Sequence, residues 1–281
     1  QHARLENAAL DFPPREPLAV VYAVEEGDVV ATVAAAAADG AHVAVRSGGN
    51  SGSGESTCCG RCVVLDVSQM AGVAVGRRLV VGPGVSVQQL ADSLRDNTTH
   101  TVPLGVCGGV RMGGFVGGGG VGMASAKYGL AVDALQGARV VLANASVVDV
   151  SAGSHPDLWW ALRGGLAAGL GVVVQYRFSP VPISPKATRV MAGTLAWPAS
   201  VAGDVAAGYH RVVWSSGGRT AGMFLTFMDG QVAVHGMWMA PSKAAIKRLL
   251  SVPGAQGGFV PTTHNAAAAT LVAPPPAARQ W

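Results

Sequence analysis

The sequence predicts a protein of mixed α and β structure with two domains and a low-complexity tail. The chain opens with a β-α-β pattern: the apolar run LAVVYAV at 18–24, a helical stretch at 26–39 and the strand-like AHVAVRS at 41–47. Two glycine-rich loops each follow a strand-like segment. Composition then shifts at VPISPK, residues 181–186, beyond which strand-like and helical runs alternate. These observations favour a large first domain followed by a smaller second one.

Each element of the first domain has its own signal. Asp28 stands in the first turn of the first helix as a candidate cap, and Gly40 is a plausible stop. CVVLDVSQM at 62–70 and RLVVGPG at 78–84 are strand-like, and the second runs into a glycine turn. VSVQQLADSLRDN at 85–97 has helical spacing, which places on one face the apolar residues Val87, Leu90, Ala91 and Leu94.

A hairpin, a short helix and a last strand complete this domain. ALQGARVVLANASVVDVSA at 134–152 predicts the hairpin, HPDLWWALRGG at 155–165 the helix, and VVVQYRFSPV at 172–181 the strand. The second domain contains three strand-like runs, which are RVMAGTLAW, AGMFLTFM and QVAVHGMWM, around helical stretches near 199–213 and 242–250. The alanine- and proline-rich end is predicted to lack fixed structure.

Composition excludes two classes of partner. Net charge is +4 over 281 residues, and apart from Arg77-Arg78 the arginines are scattered singly. Nucleic-acid binding needs a basic stripe, so we expect no nucleic-acid partner. The longest apolar run is interrupted by Asp39 and His42, so we expect no membrane span. A small-molecule partner is the remaining expectation, and the sequence leaves the oligomeric state open.

The four cysteines point away from a metal site. Cys58, Cys59 and Cys62 form a cluster, and Cys107 stands alone. A zinc site needs four ligands, or three and a water, yet no second pair and no histidine lie near the Cys59-x-x-Cys62 spacing. We therefore expect no metal, and either a local disulfide or plain thiols in this loop.

Glycine is the informative excess, because 39 glycines in 281 residues are about twice ordinary usage. They concentrate in the loops at 46–54 and 105–122. Glycine lets a ligand lie directly against main-chain N–H groups, and runs of such groups suit phosphates. The spacing Gly117-x-Gly119-x-x-Gly122 formally matches a Rossmann fingerprint, but the acidic residue expected about 20 positions later is missing. A dinucleotide other than a nicotinamide cofactor, or merely flexible loops, remain as interpretations.

Five segments, in order, carry a resemblance to a known family. They are RSGGN at 46–50, VVLDVSQM at 63–70, LVVGPGVSVQQLADSL at 79–94, GVCGGVRMGGFVGGGGVGMASAKYGLAVD at 105–133, and HPDLWWALRGG with LGVVVQYRF at 155–178. Together they resemble the FAD-binding domain of the vanillyl-alcohol oxidase / p-cresol methylhydroxylase (PCMH-type) superfamily, in its berberine-bridge-enzyme-like oxidase branch.

The resemblance implies an α+β fold. A PCMH-type FAD-binding domain of two α/β subdomains would occupy residues 1–182. A truncated α+β substrate domain with antiparallel strands would follow at 183–260, and a low-complexity tail at 261–281.

The resemblance also implies the cofactor FAD and a set of contact residues. Arg46, Ser47, Gly48, Gly49 and Ser51 look like the turn whose main chain holds the pyrophosphate. A second set of residues resembles the family segment that wraps the cofactor. It comprises Gly105, Val106, Cys107, Gly113, Gly114, Gly118 and Gly122. Val172 stands where the family makes backbone contact with the flavin nucleotide.

Asn50 and Cys107 bear on how the flavin is attached. Most relatives with this turn carry a histidine, bonded to the flavin, where this chain has Asn50. An amide nitrogen is not a nucleophile, because its lone pair is delocalised, so we expect no link through Asn50, which still offers hydrogen bonds. Cys107 occupies the position where two-link family members attach the flavin through sulfur, and a covalent link there is an open alternative to a small buried thiol.

The function implied is that of an FAD-dependent oxidoreductase. A hydride would pass from an alcohol, sugar or amine carbon to flavin N5, with reoxidation by oxygen. The alternative is a truncated or degenerate flavin-binding protein without catalysis, favoured by Asn50 and by the shortened substrate domain. The general base is unassigned, although His235 on a strand-like run is a candidate acid/base group facing the flavin. Arg111 would either pair with the pyrophosphate or crowd it.

Localisation has only weak signals. The sequons Asn97-Thr98-Thr99 and Asn144-Ala145-Ser146 would suit a secreted protein. A first residue of Gln, not Met, suggests a processed or excised product.

Overall fold

The fold mixes helices with three larger sheets, as the sequence predicts. The computed structural model describes residues 16–97, 99–165, 169–183, 189–215, 221–228, 230–239, 251–263, 265 and 267. The strands are β1 (Pro17–Tyr22), β2 (His42–Arg46), β3 (Gly60–Asp66), β4 (Val73–Val75), β5 (Leu79–Val81), β6 (His100–Thr101), β7 (Leu135–Val141), β8 (Val147–Val150), β9 (Val172–Phe178), β10 (Val181–Pro182), β11 (Arg189–Pro198), β12 (Ala221–Met228), β13 (Gln231–Trp238) and β14 (Gln256–Thr263). The helices are α1 (Glu26–Ala38), α2 (Val87–Leu94), α3 (Met112–Gly117), α4 (Ser125–Tyr128), α5 (Pro156–Leu162) and α6 (Ala202–Ser215).

The predicted β-α-β opening forms a three-stranded parallel sheet in the order β1-β3-β2. The α1 helix connects β1 to β2 as a crossover. Asp28 caps its start, because the carboxylate accepts the N–H groups of Val24 at 2.8 Å and Glu25 at 3.1 Å. These bonds lower the pKa of Asp28. The pairing of β2 with β3, together with the α1 crossover, fixes the position at which β2 ends.

The second subdomain is a five-stranded antiparallel sheet in the order β4-β5-β9-β7-β8. Its core includes Leu79, Leu135 and Phe178 together with the apolar face of α2. The four residues predicted for that helix face are all buried. Ser86 caps the helix, since its Oγ accepts the N–H of Gln89 while the Gln89 side chain accepts the N–H of Ser86.

A second apolar cluster joins the two subdomains. Val29 and Leu65 of the first subdomain pack with Val141 and Val174 of the second. Burial of these side chains fixes the parallel sheet against the antiparallel one. The loops that leave the ends of β2 and β3 are therefore held beside the second subdomain.

The last large sheet is antiparallel, in the order β12-β13-β11-β14. One face packs against α6, with Leu195, Trp197 and Trp238 buried against Val205 and Val212. The other face packs onto the first domain, in a cluster that contains Val190, Ala192, Met237 and Met239 beside Met123 and Ala124. The predicted strands and the helix near 199–213 are confirmed, while the predicted helix at 242–250 lies outside the described residues. The domain boundary at 182/183 stays a prediction.

The tail prediction is wrong at its start. Residues 261–263 belong to β14, which pairs with β11. Asn265 and Ala267 are buried, and the Asn265 amide donates to the carbonyl oxygens of Asn97 and His100. The low-complexity composition hid these residues because one short strand pairing and one buried amide leave no periodic signal. The rest of the tail lies outside the described residues.

The cysteine cluster contains the local disulfide that was one of the two expectations. It joins Cys58 to Cys62, with a Cα–Cα distance of 6.2 Å. Cys59 and Cys107 are free and exposed. Within the described ranges, no group of three or more His, Cys, Asp or Glu side chains is placed to hold a metal ion. Likewise, no helix in those ranges is long and apolar enough to cross a membrane.

We expect Gly222→Ala to destabilise the contact between the two domains. A Cβ at this buried glycine would overlap the Met123 carbonyl. Overpacking of this kind costs about 1–3 kcal/mol. The matched control is Gly203→Ala, because Gly203 is exposed on α6 and a Cβ there meets nothing within 4 Å. Thermal unfolding should show a lower Tm for Gly222→Ala only, and equal Tm values would contradict the packing.

Candidate functional site

The turn after β2 is positioned by an ion pair at the end of the parallel sheet. Arg46 Nε lies 3.4 Å from Asp66 Oδ2, and Asp66 is buried. Asp66 also accepts the N–H of Ser68 at 2.8 Å. Gly49 has φ +67°, and a Cβ there would lie 3.0 Å from Arg46 Nη2. Only glycine fits this turn without strain, so the RSGG sequence follows from the local geometry.

The same turn contains a run of backbone N–H groups that donate to none of the described residues. Within the described part of the chain, no hydrogen bond uses the N–H groups of residues 47–51 as donors. Gly49 is a buried residue. Buried N–H groups in proteins are nearly always paired, so this turn has the character of an anion site.

The second glycine segment packs directly on this turn. The Pro83 carbonyl accepts both the Ser47 hydroxyl, at 2.7 Å, and the N–H of Gly113, at 2.9 Å. A Cβ at Gly113 would lie 2.8 Å from Ser47 Cβ, and one at Gly48 would lie 3.1 Å from Arg111 N. The structure therefore brings together the two loops that the sequence singles out, with their backbones in contact.

The Arg111 side chain connects the two glycine loops to the loop after β3. Its guanidinium donates to the carbonyl of Ser68 at 2.9 Å and to the carbonyl of Gly84. A Cβ at Gly84 would overlap the Ser68 carbonyl, so the loops after β3 and β5 also touch. The guanidinium is thus directed at main-chain oxygens of its own chain. Sequence reasoning gave no role to Ser68, Pro83 or Gly84, although the VGPG string was the signal for this loop.

Tyr176 is a supporting residue that the sequence did not reveal. Its side chain is fully buried in β9, and its hydroxyl donates to the Gly113 carbonyl at 3.1 Å. Burial raises the pKa of Tyr176, so the hydroxyl keeps its proton and acts as a donor. Gly113 is thereby held from the sheet side by Tyr176 and from the loop side by Pro83.

The other predicted glycines divide into two groups. Gly105 and Gly122 allow close packing: a Cβ at Gly105 would lie 2.9 Å from the Phe115 ring, and one at Gly122 would overlap the Leu104 carbonyl. Gly114 and Gly118 are exposed. Gly118 ends α3 with its N–H bonded to the Gly114 carbonyl, while a Cβ at Gly114 meets nothing within 4 Å. The first group shapes the segment, and the second faces open space.

The remaining predicted residues lie around the turn or behind it. Asn50 is exposed and its amide donates to the Gly48 carbonyl at 3.0 Å. Ser51 donates to Glu55 Oε2 at 2.5 Å, which lowers the pKa of Glu55. Cys107 is exposed, whereas its neighbour Val106 packs with Met123. Val172 is buried in β9 opposite Val141, so its side chain belongs to the core.

A small parallel sheet, a five-stranded antiparallel sheet and interlocked glycine loops between them define the class of PCMH-type FAD-binding domains. Residues 17–151 match the family described as FAD binding domain. Berberine bridge enzyme-like 14 of Arabidopsis thaliana is 32% identical over 204 residues, which are 70% of this chain and 38% of that protein. Residues 17–151 thus contain this FAD-binding domain, and the chain is similar to berberine-bridge-enzyme-like oxidases.

Two solved structures share the fold. Xylooligosaccharide oxidase from Myceliophthora thermophila C1, in complex with xylobiose, has a TM-score of 0.76 and 27% identity, over 92% of this chain and 56% of that one. Glucooligosaccharide oxidase from Acremonium strictum, described with a 6-S-cysteinyl, 8α-N1-histidyl FAD, has a TM-score of 0.73 and 23% identity over the same shares. The chain spans about two fifths of the length of the curated relatives it matches.

We expect Arg111→Ala to lower the free energy of unfolding by about 1.5–3 kcal/mol, because the charged donor to two loop carbonyls is lost. Arg95→Ala is the control, since Arg95 is exposed and, among the described residues, its ion pair is with Asp92 on the surface of α2. Removing such an exposed pair costs less than about 1 kcal/mol. Urea unfolding measures both values, and an equal loss in the two variants would show that the Arg111 contacts contribute nothing special.

Proposed function

We propose that the chain binds FAD with the pyrophosphate against the main chain of residues 46–51 and with the second segment alongside the cofactor. The contact residues would be Arg46, Ser47, Gly48, Gly49, Asn50, Ser51, Gly105, Val106, Cys107, Gly113, Gly114, Gly118, Gly122 and Val172. The observation that carries this proposal is the run of unused N–H groups at 47–51, centred on the buried Gly49. The match of residues 17–151 to the FAD binding domain supports it.

The reaction we propose is FAD-dependent oxidation of a small molecule. A hydride would leave an alcohol, sugar or amine carbon for flavin N5, and oxygen would regenerate the cofactor. Support comes from the relatives, which are named as oxidases of xylooligosaccharides, glucooligosaccharides and aclacinomycin. The second domain would cover the flavin and select the substrate, because its sheet packs onto the glycine segment at Met123 and Ala124.

The mode of attachment follows from two side chains. Asn50 offers an amide, which cannot form a bond to the flavin but can donate and accept hydrogen bonds. Cys107 is free and exposed, so its thiol is accessible for a bond to the flavin. We therefore propose an FAD held without a link at Asn50 and with a thioether at Cys107. The related oxidase with a 6-S-cysteinyl FAD supports the thioether.

A second candidate function is FAD binding without catalysis. Asn50 favours this function, because it stands where most relatives with this turn carry the histidine that is bonded to the flavin. The rest of the turn is kept. The two candidates separate in an anaerobic experiment in which the FAD-loaded protein is mixed with a panel of alcohols, sugars and amines. Loss of the flavin absorbance with any of them establishes the oxidoreductase, and an unchanged spectrum with all of them favours the binding protein.

We expect Gly49→Ala to weaken FAD binding by about tenfold or more. An alanine in the left-handed region costs about 1–2 kcal/mol, and its Cβ would press on Arg46. The turn would relax away from the conformation that the pyrophosphate needs. Gly52→Ala is the matched control, since a Cβ there meets nothing within 4 Å.

Each variant, prepared without covalently attached FAD, is titrated into FAD. The quenching of FAD fluorescence then gives the two dissociation constants. Equal constants for the two variants would overturn the placement of the pyrophosphate. Absence of any FAD binding by the wild-type chain would overturn the cofactor itself.

For the attachment, we expect the yellow pigment of acid-precipitated wild-type protein to stay in the pellet, because a thioether survives denaturation. Cys107→Ala should release the pigment into the supernatant. Cys59→Ala is the matched control, as Cys59 is the other free, exposed thiol, and it should behave as wild type. Wild-type pigment in the supernatant would show that FAD is bound without a covalent link.

A further inference from the structure

The sheet of the second domain turns one face toward the predicted flavin site. Gly222 in β12 lies directly against Met123, and Met237 in β13 packs in the same cluster as Val106. Met237 is the cross-strand partner of both Gly222 in β12 and Ala192 in β11. Since partners directly opposite in a sheet share a face, this row of three marks the side that meets the first domain.

His235 occupies the next row on this face. It pairs with Thr194 of β11 and with Phe224 of β12, two residues before Met237 along β13. Side chains two residues apart in a strand lie on the same side, about 6.6 Å from each other. The imidazole is therefore one row away from the contact with Met123 and Val106.

The surroundings of His235 suit proton transfer. Its Nε2 lies 3.0 Å from Thr226 Oγ1, and the Phe224 ring centroid is 6.3 Å from that of the imidazole. No hydrogen bond among the described residues uses Nδ1. The side chain is half-buried, and this burial lowers the pKa of His235, which keeps the ring neutral at neutral pH. A neutral imidazole held at one nitrogen, with the other unused by the described residues, is the state that a base requires.

Few other titratable groups border this position. The adjacent strands β11 and β12 contribute Thr194, Phe224 and Thr226, none of which is charged. The opposing helix α4 contributes Tyr128 and Lys127, whose Nζ lies 5.4 Å from the Tyr128 ring centroid. Burial lowers the pKa of Lys127 as well.

We infer that His235 faces the flavin across this border and takes the proton that leaves the substrate, an assignment that rests on the proposed function. With an alcohol as substrate, bound FAD would supply the hydride acceptor for the C–H bond, while His235 Nδ1 would take the O–H proton as the C=O bond forms. Oxygen, the acceptor in the proposed function, would take up the electron pair and proton of the hydride and the proton from His235, which gives hydrogen peroxide. Thr226 keeps the ring oriented throughout.

The test needs no substrate. In FAD-loaded wild-type protein, protonation of an imidazole beside the flavin should shift the flavin absorption band, with a midpoint below about 6.5, the ordinary histidine value. His235→Gln should abolish this shift. His210→Gln is the matched control, because His210 is exposed on α6, which covers the opposite face of the sheet, and it should titrate as wild type.

A wild-type measurement covers the case in which the variant does not fold. The Cε1–H resonance of His235, followed by NMR, should titrate with a different midpoint once FAD is added. If a substrate is found, His235→Gln should slow flavin reduction by about 10²–10⁴-fold. Two results in protein that binds FAD would together overturn this inference alone. The flavin band would show no pH shift that depends on His235, and the His235 resonance would keep its titration midpoint when FAD is added. Failure to bind FAD overturns it together with the proposed function.

Discussion

One shared acceptor, the carbonyl of Pro83, holds the candidate site together. The Ser47 hydroxyl and the Gly113 N–H both donate to it, so the turn after β2 and the start of α3 are fixed at one point. The Tyr176 hydroxyl donates to the Gly113 carbonyl from the sheet side. The Arg111 guanidinium donates to the carbonyls of Ser68 and Gly84 and so connects their loops to the site. These bonds fix the loops around residues 47–51, whose N–H groups donate no hydrogen bond within the part of the chain that the structure describes. This is the turn on which the proposed function places the pyrophosphate.

Much of this arrangement was predictable from local sequence. The helix face of α2, the β-α-β opening and the hairpin of β7 and β8 all have periodic signals, and the structure has each of them. Gly49 was predictable as well, because a glycine after a strand end marks a turn with positive φ. The family resemblance added the α+β fold and the FAD-binding domain, which the comparisons confirm.

Contacts between distant segments were not predictable. Arg111 donates to carbonyls 43 and 27 residues away, and Tyr176 reaches Gly113 over 63 residues. A main-chain acceptor has no residue-type signature, so the sequence offered no way to choose the partner of either side chain. The same reason applies to Asn265, whose amide is bonded to the carbonyls of Asn97 and His100 from the end of the described chain. Low-complexity composition there pointed to the opposite conclusion.

The most direct test of the central claim is amide hydrogen exchange of residues 47–51 with and without FAD. If the pyrophosphate binds this turn, the cofactor should slow exchange at these five amides, because they gain acceptors. The amides of α6, which lies on the far face of the second sheet, should be unaffected. Protein that is saturated with FAD but exchanges these five amides at an unchanged rate would contradict the account.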